Sequence, residues 1–333
     1  MDGMRLLSVH SGGLPSAPRG AGRRKRERRS SNGDRDDRSA YNDEETLRMK
    51  FPRTNFARIP IVAGLALSLA GCTASNSTQS AALPSALGHD RAVSPATIRM
   101  IFDDEFSGTT LDATKWNTCY WWASGNGCSN GGNLEREWYT PENVSVHDGY
   151  LDLVALQQEV QQNYPYTSGM VSTNDCCGHP ITFQFQYGYM EMSAQLPPGK
   201  GMWPAFWLVP ADHTWPPEID AMEWQGQEPR TNFLTIHWGS SKDPQQSGGS
   251  FVGPNLSKGF HTFGLDWEAK SVTWYQDGKA VRTYTDAKHI PHVPMIVIVN
   301  LALGGWLGFP DKKTVFPAHM LVDYVRVWNR YPY

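Results

Sequence analysis

Residues 218–223 read Glu218-Ile219-Asp220-Ala221-Met222-Glu223, with Pro216-Pro217 before them and Trp224 after. Acidic residues are poor strand formers, and like charges on one sheet face repel. Yet the interleaved Ile219, Ala221 and Met222 read as a buried strand, and a carboxylate reaction centre accounts for that conflict. In extended chain Glu218 and Asp220 share one face and Glu223 points to the other. A single β-bulge between Asp220 and Glu223 restores the phase and returns Glu223 to the shared face. Crowded acids cannot all be charged, so an ionised and a protonated carboxyl come to stand near one another. Two such groups about 5–5.5 Å apart suit nucleophilic attack at a sugar's anomeric carbon, with protonation of the leaving oxygen. A solvated acidic edge strand or a calcium cluster would explain the spacing, but not the apolar and aromatic flanks.

Short strands must position these acids. Val144–His147 and Tyr150–Leu153 flank Asp148-Gly149, and Val272–Gln276 and Ala280–Tyr284 flank a turn at Asp277-Gly278; both are hairpin signals. Alternating runs recur at Phe183–Leu196, Phe233–Trp238, Thr262–Trp267 and Met295–Leu303. No long 3.6-residue period follows residue 100, so the pattern predicts an all-β, antiparallel β-sandwich. All 13 Trp lie at or after Trp116. Indoles near loops or beside the motif suit the apolar faces of sugar rings, while Trp116, Trp267, Trp274 and Trp328 are expected in the core.

From Asp104-Glu105-Phe106 onward the chain resembles glycoside hydrolase family 16, the laminarinase-like β-glucanases, across residues 100–328. The resemblance rests on Asp104-Glu105-Phe106 with Leu111-Asp112 and Lys115-Trp116 as an opening strand, on Tyr139–Val144, on Leu196–Gly201 leading into Trp203–Leu208, and on the acid hexapeptide. Asn300–Gly305 and Val322–Val327 complete it. It implies a jelly-roll, concanavalin-like sandwich with a concave glycan-binding cleft. By resemblance Glu218 is the nucleophile, Glu223 the acid/base and Asp220 the residue assisting the nucleophile. Trp203, Trp224 and Trp306 are expected to meet sugar, His237 to lie near the catalytic centre, and Asn133 and Glu135 to approach sugars on the non-reducing side. Where relatives often carry arginines after Tyr-Gly, this chain reads Tyr187-Gly188-Tyr189-Met190-Glu191-Met192, so a sugar-contacting arginine is missing. A structural calcium is implied at Asp323, with chain oxygens near Glu105 and Gly149; no cofactor is required for catalysis.

The expected activity is retaining, endo-acting hydrolysis of β-1,3 or mixed β-1,3/1,4-glucans, with bacterial exopolysaccharide as a further substrate. The alternatives are a non-catalytic, lectin-like glucan binder and a transglycosylase on the same scaffold. Binders of this kind typically lose a catalytic glutamate, and both are present here.

Composition changes sharply along the chain. Residues 1–48 hold 11 Lys/Arg and 8 Asp/Glu with almost no apolar periodicity, so disorder and a mis-assigned start are expected. From Met49, Lys50, Arg53 and Arg58 precede an apolar run, Ile59 to Leu69, too short to span a membrane. It ends in Leu69-Ala70-Gly71-Cys72, which resembles a bacterial lipobox. Residues 49–72 therefore read as a lipoprotein signal, Cys72 as the lipidated residue and residues 73–98 as a flexible tether to a domain at 99–333. An exported cell-envelope lipoprotein follows, on the outer membrane, touching membrane through its lipid alone and acting as a monomer. Residues 1–48 and 49–72 each carry net +3, against −3 for the whole chain, which leaves −9 for the remainder. Such a domain is a poor partner for nucleic acid. Of Cys119, Cys128, Cys176 and Cys177, the pair Cys119–Cys128 is the first choice for a disulfide, among three possible connectivities.

Overall fold

The computed structural model describes residues 97–122, 129–306 and 308–333, so the leader, Cys72, most of the tether and Cys128 lie outside the described residues. The strands begin with β1 (Met100–Asp104), β2 (Glu137–Tyr139), β3 (Val144–His147), β4 (Tyr150–Ala155), β5 (Tyr166–Ser168) and β6 (Met170–Ser172). They continue with β7 (Gly188–Gln195), β8 (Met202–Pro210), β9 (Glu218–Trp224), β10 (Thr231–Ser240) and β11 (Asp243–Val252). The last are β12 (His261–Trp267), β13 (Val272–Gln276), β14 (Lys279–Tyr284), β15 (Met295–Leu303) and β16 (Ala318–Trp328).

Two open sheets form. One runs β11-β10-β9-β8-β15-β6 and carries the acid hexapeptide; the back sheet runs β14-β13-β12-β7-β16-β4-β3, with β1 also on β16. Ladders within both are antiparallel, and a small parallel pair, β2 with β5, stands apart. The predicted antiparallel β-sandwich is borne out. Asp148-Gly149 and Asp277-Gly278 adopt the left-handed φ values, 52°, 81°, 50° and 72°, that such two-residue turns demand. The opening strand is shorter and earlier than expected, ending at Asp104.

The core lies between the sheets. Met190, Met192 and Ala194 of β7 and Leu265 and Trp267 of β12 pack in one cluster with Ile219, Met222 and Trp224 of β9 and Val297, Val299 and Leu301 of β15. The alternate residues of β15, Ile296 and Ile298, point to the other face. There they meet Tyr120, Tyr139 and Cys119 in a second apolar layer. Loops thus cover the outer face over β15, and the acids stand on the same face at β9.

Candidate active site

The bulge expected in the hexapeptide is present against both neighbours. Along β8, Phe206 faces Met222 but Trp207 faces Asp220, so Ala221 is the extra residue. Along β10, Phe233 faces Glu223 and Thr235 faces Asp220. Glu218, Asp220 and Glu223 consequently share the outer face, while Ile219, Ala221, Met222 and Trp224 are buried. A bulge leaves ladder groups unpaired. Here the core supplies partners: Trp274 Nε1 donates to Asp220 O at 2.7 Å, and Arg282, stacked on Trp274, donates to Leu234 O. Each such bond contributes about 0.5–1.5 kcal/mol.

On the outer face each glutamate has its own donors. Trp215 Nε1 donates to Glu218 Oε2 at 2.9 Å, and His237 Nε2 lies 3.1 Å from Asp220 Oδ2 and 3.3 Å from Glu218 Oε1. Trp203 Nε1 donates to Glu223 Oε1 at 3.1 Å. Burial, then the Asp220 charge, push Glu218 up to about 8 against the pull of His237. Burial and the charges of Asp220 and Glu218 hold Glu223 well above the usual carboxylate range. Burial opposes charge on His237, but its hydrogen bond to Asp220 and the surrounding carboxylates outweigh this and raise it to about 9. The cationic imidazole and the Trp215 N–H favour negative charge on Glu218. Glu223 has one indole donor and no cation in hydrogen-bond contact among the described residues, which favours its protonated form.

The remaining expected site residues divide. His237 joins the acids, as expected. Trp306 is half exposed and meets Phe233 edge-on at 5.0 Å, above the row that carries Glu223. Trp203 lies on the acid face but is largely buried, its ring covered by Gly305, so it holds Glu223 and offers no broad platform. Trp224 must be corrected: it is 0% exposed in the core, because the residue after Glu223 takes the opposite face of the strand. Asn133 ends an exposed 3-10 turn, whereas the Glu135 carboxyl is buried against Glu137. Tyr189 and Glu191 bond each other in the back sheet, so the missing arginine does not bear on the acid face. Sequence reasoning placed Trp215 among the indoles beside the motif that suit sugar rings, not as a donor to Glu218, and did not assign Glu137. Their signals were present: an indole three positions before Glu218, and Glu at i+2 from Glu135 on one strand face.

The disulfide expectation also changes. Cys119 bonds Cys176, because the second apolar layer brings those two chain segments together; Cys177 Sγ lies 3.1 Å from Cys119 Sγ. Around Asp323, pairing with β4 stops at Val322 and pairing with β1 at Val325, so two strand ends flank that residue. The Glu105 carboxylate grips Arg326 through two bonds of 2.7 Å, so only a chain oxygen of Glu105 could serve a cation, and Asp323 Oδ2 accepts from Ser193 Oγ at 3.3 Å. One carboxylate with chain oxygens fits calcium.

Comparison with known proteins follows this geometry. Residues 133–326 match glycosyl hydrolases family 16. The endo-1,3-1,4-beta-glycanase EglC of Rhizobium meliloti (strain 1021) is 36% identical over 255 residues, spanning 72% of this chain and 53% of that protein. The chain therefore spans about half the length of that relative. The beta-glucanase of Rhodothermus marinus is 31% identical over 270 residues, covering 74% of this chain and 90% of that one. The laminarinase catalytic domain of Thermotoga maritima MSB8 superposes with a TM-score of 0.62 at 32% identity, over 71% of this chain and 99% of that chain.

Proposed function

Because the chain belongs to glycosyl hydrolase family 16, we propose that it is a retaining, endo-acting hydrolase of β-1,3 or mixed β-1,3/1,4-glucans. The observation that carries the reading is the bulged β9, with two glutamates on one face and different donors on each. Glu218, its charge favoured by His237 and Trp215, attacks the anomeric carbon. Glu223 protonates the departing oxygen, then takes a proton from water to release the glycosyl-enzyme. Asp220 holds His237 through its Oδ2. The name of the Rhizobium relative gives both linkages. That supports mixed-linkage glucan as substrate.

Reducing ends released from laminarin, lichenan and a bacterial exopolysaccharide test the activity. The anomeric configuration of the first product, followed by NMR, tests retention. Product of inverted configuration, or ordinary turnover by Glu218→Gln, would falsify the assignment.

The same reading places the domain behind a lipidated Cys72 on the bacterial envelope, supported by the basic, apolar and lipobox segments in residues 49–72. Cys72→Ala should release the protein from membranes, and retention would refute the anchor. A structural calcium at Asp323 should make chelation lower the melting temperature; no change would remove it. The domain is read as acting as a monomer; sedimentation as a dimer would contradict that.

A further inference from the structure

Glu135 and Glu137 form a second acid pair outside the hexapeptide. Two positions apart in extended chain, they turn the same way, and they are 5% and 0% exposed. Glu137 Oε1 is buried with no hydrogen-bond donor from any other described side chain or chain amide, and the Glu135 carboxyl beside it can satisfy it only by sharing a proton. Among the described residues no Lys, Arg or His forms an ion pair with either carboxyl. Arg136 turns onto the Phe309 ring, 5.5 Å away. The groups that do face the pair are Tyr139, with Tyr120 and Asn300 beyond it, and Asn130 and Asn133 on the Glu135 side. Burial and the Glu137 charge hold Glu135 well above the usual carboxylate range, and burial lifts Glu137 to about 7.

This pair is tied to the turn that follows β15. Glu137 Oε2 accepts from Leu303 N at 2.7 Å. Arg136 N donates to Leu303 O at 2.8 Å and Gly305 N to Leu134 O at 3.1 Å. Gly305, at φ 77°, sits so close to Trp203 that an added Cβ would collide with the indole. Trp203 in turn donates to Glu223. We propose that Glu135 and Glu137 act as one proton-sharing pair that anchors the Leu303–Gly305 turn, and through it positions Trp203 and the carboxyl of Glu223. This rests on the glucanase reading above. When the shared proton leaves, two buried charges stand together without a cation, and their repulsion loosens the turn. Glu137 is thus a positioning residue that sets how far into alkaline pH the acid/base stays aligned.

Glu137→Gln tests the pair, since its amide can still accept from Leu303 N and donate to Glu135 while the second charge is removed. The expected result is an alkaline limb of kcat/KM displaced upward by about one pH unit. Glu137→Ala should lower kcat roughly tenfold with a smaller change in KM, and Glu137→Gln should recover most of that loss. In a Trp203→Phe background, Glu137→Ala should add little further loss. A Glu137→Gln profile that superimposes on the parent's overturns the proposal, as do Glu137→Ala and Trp203→Phe losses that multiply in full. Should Glu137→Ala not fold, the Glu137→Gln profile decides alone. A parent inert on every glucan defeats the glucanase reading instead. The pair is then judged by melting temperature: the parent should lose more than Glu137→Gln between pH 6 and 9, and equal losses refute the shared proton.

Discussion

On β9 three carboxylates share a face with a histidine and two indole N–H donors, whereas ahead of and on β2 two carboxylates are enclosed by chain amides and neutral side chains. Both clusters are buried and both have raised pKa values. They differ in what they can do with a charge. Beside Glu218, His237 offsets part of a negative charge, although burial and Asp220 still lift that carboxyl to about 8; among the described residues no cation pairs with Glu135 or Glu137. The first arrangement suits a group that must ionise and attack. The second suits an anchor that holds one shared proton.

Substitutions can break that contrast, and the largest effect is expected at the nucleophile. Glu218→Gln should lower kcat/KM on polymer by roughly 10,000-fold while leaving glucan binding intact. Glu223→Gln should cost roughly 100- to 10,000-fold on polymer, and far less on an aryl glycoside whose leaving group needs no protonation; equal losses on both substrates would remove Glu223 as the acid. His237→Ala should cost roughly tenfold near neutral pH. It removes the cation that favours ionised Glu218, so the acid limb of the pH–rate profile should move to higher pH; a downward shift would contradict the assigned charge.

Stability should follow the same electrostatics. Glu137 and Glu218 have folded-state values near 7 and 8, above the ordinary carboxylate range, and Glu135 and Glu223 are raised as well. The folded protein holds their protons longer than the unfolded chain does. Their contribution is therefore complete below about pH 4.5 and declines as pH rises through 7 and 8. Calorimetry should show the melting temperature falling from pH 5 to pH 9; a rise would be inconsistent with these shifts. Trp224→Ala should destabilise the fold by about 3–5 kcal/mol without altering KM of the folded fraction. Trp306→Ala, at the exposed rim, should do the reverse on a smaller scale: KM about threefold higher, with kcat and melting temperature unchanged.

Much of this was legible locally. A bulge between Asp220 and Glu223 followed from alternation once a reaction centre requires both glutamates on one face, because no regular strand puts them there. The two hairpins followed from Asp-Gly turns, and the buried Trp267 and Trp274 from their place in alternating runs; Trp116 and Trp328, also expected in the core, are buried as well. β11 was missed because Asp243–Val252 is polar and glycine-containing, and it becomes a strand by pairing along the whole of β10. Trp224 was assigned to sugar by proximity in sequence, although the residue after a re-phased acid must turn inward. The Cys119–Cys176 bond depends on two loops meeting over β15, about which local spacing carries no information.

By itself, the order of residues determined that three acids would line one sheet face and that two layers of short strands would hold them, because side-chain alternation and turn chemistry act over a few neighbours. Only the tertiary structure decided which acid receives a cation, which receives an indole, and which pair receives neither. Those partners arrive from strands far apart in sequence, and an ionisable group's charge is set by whatever stands beside it in space.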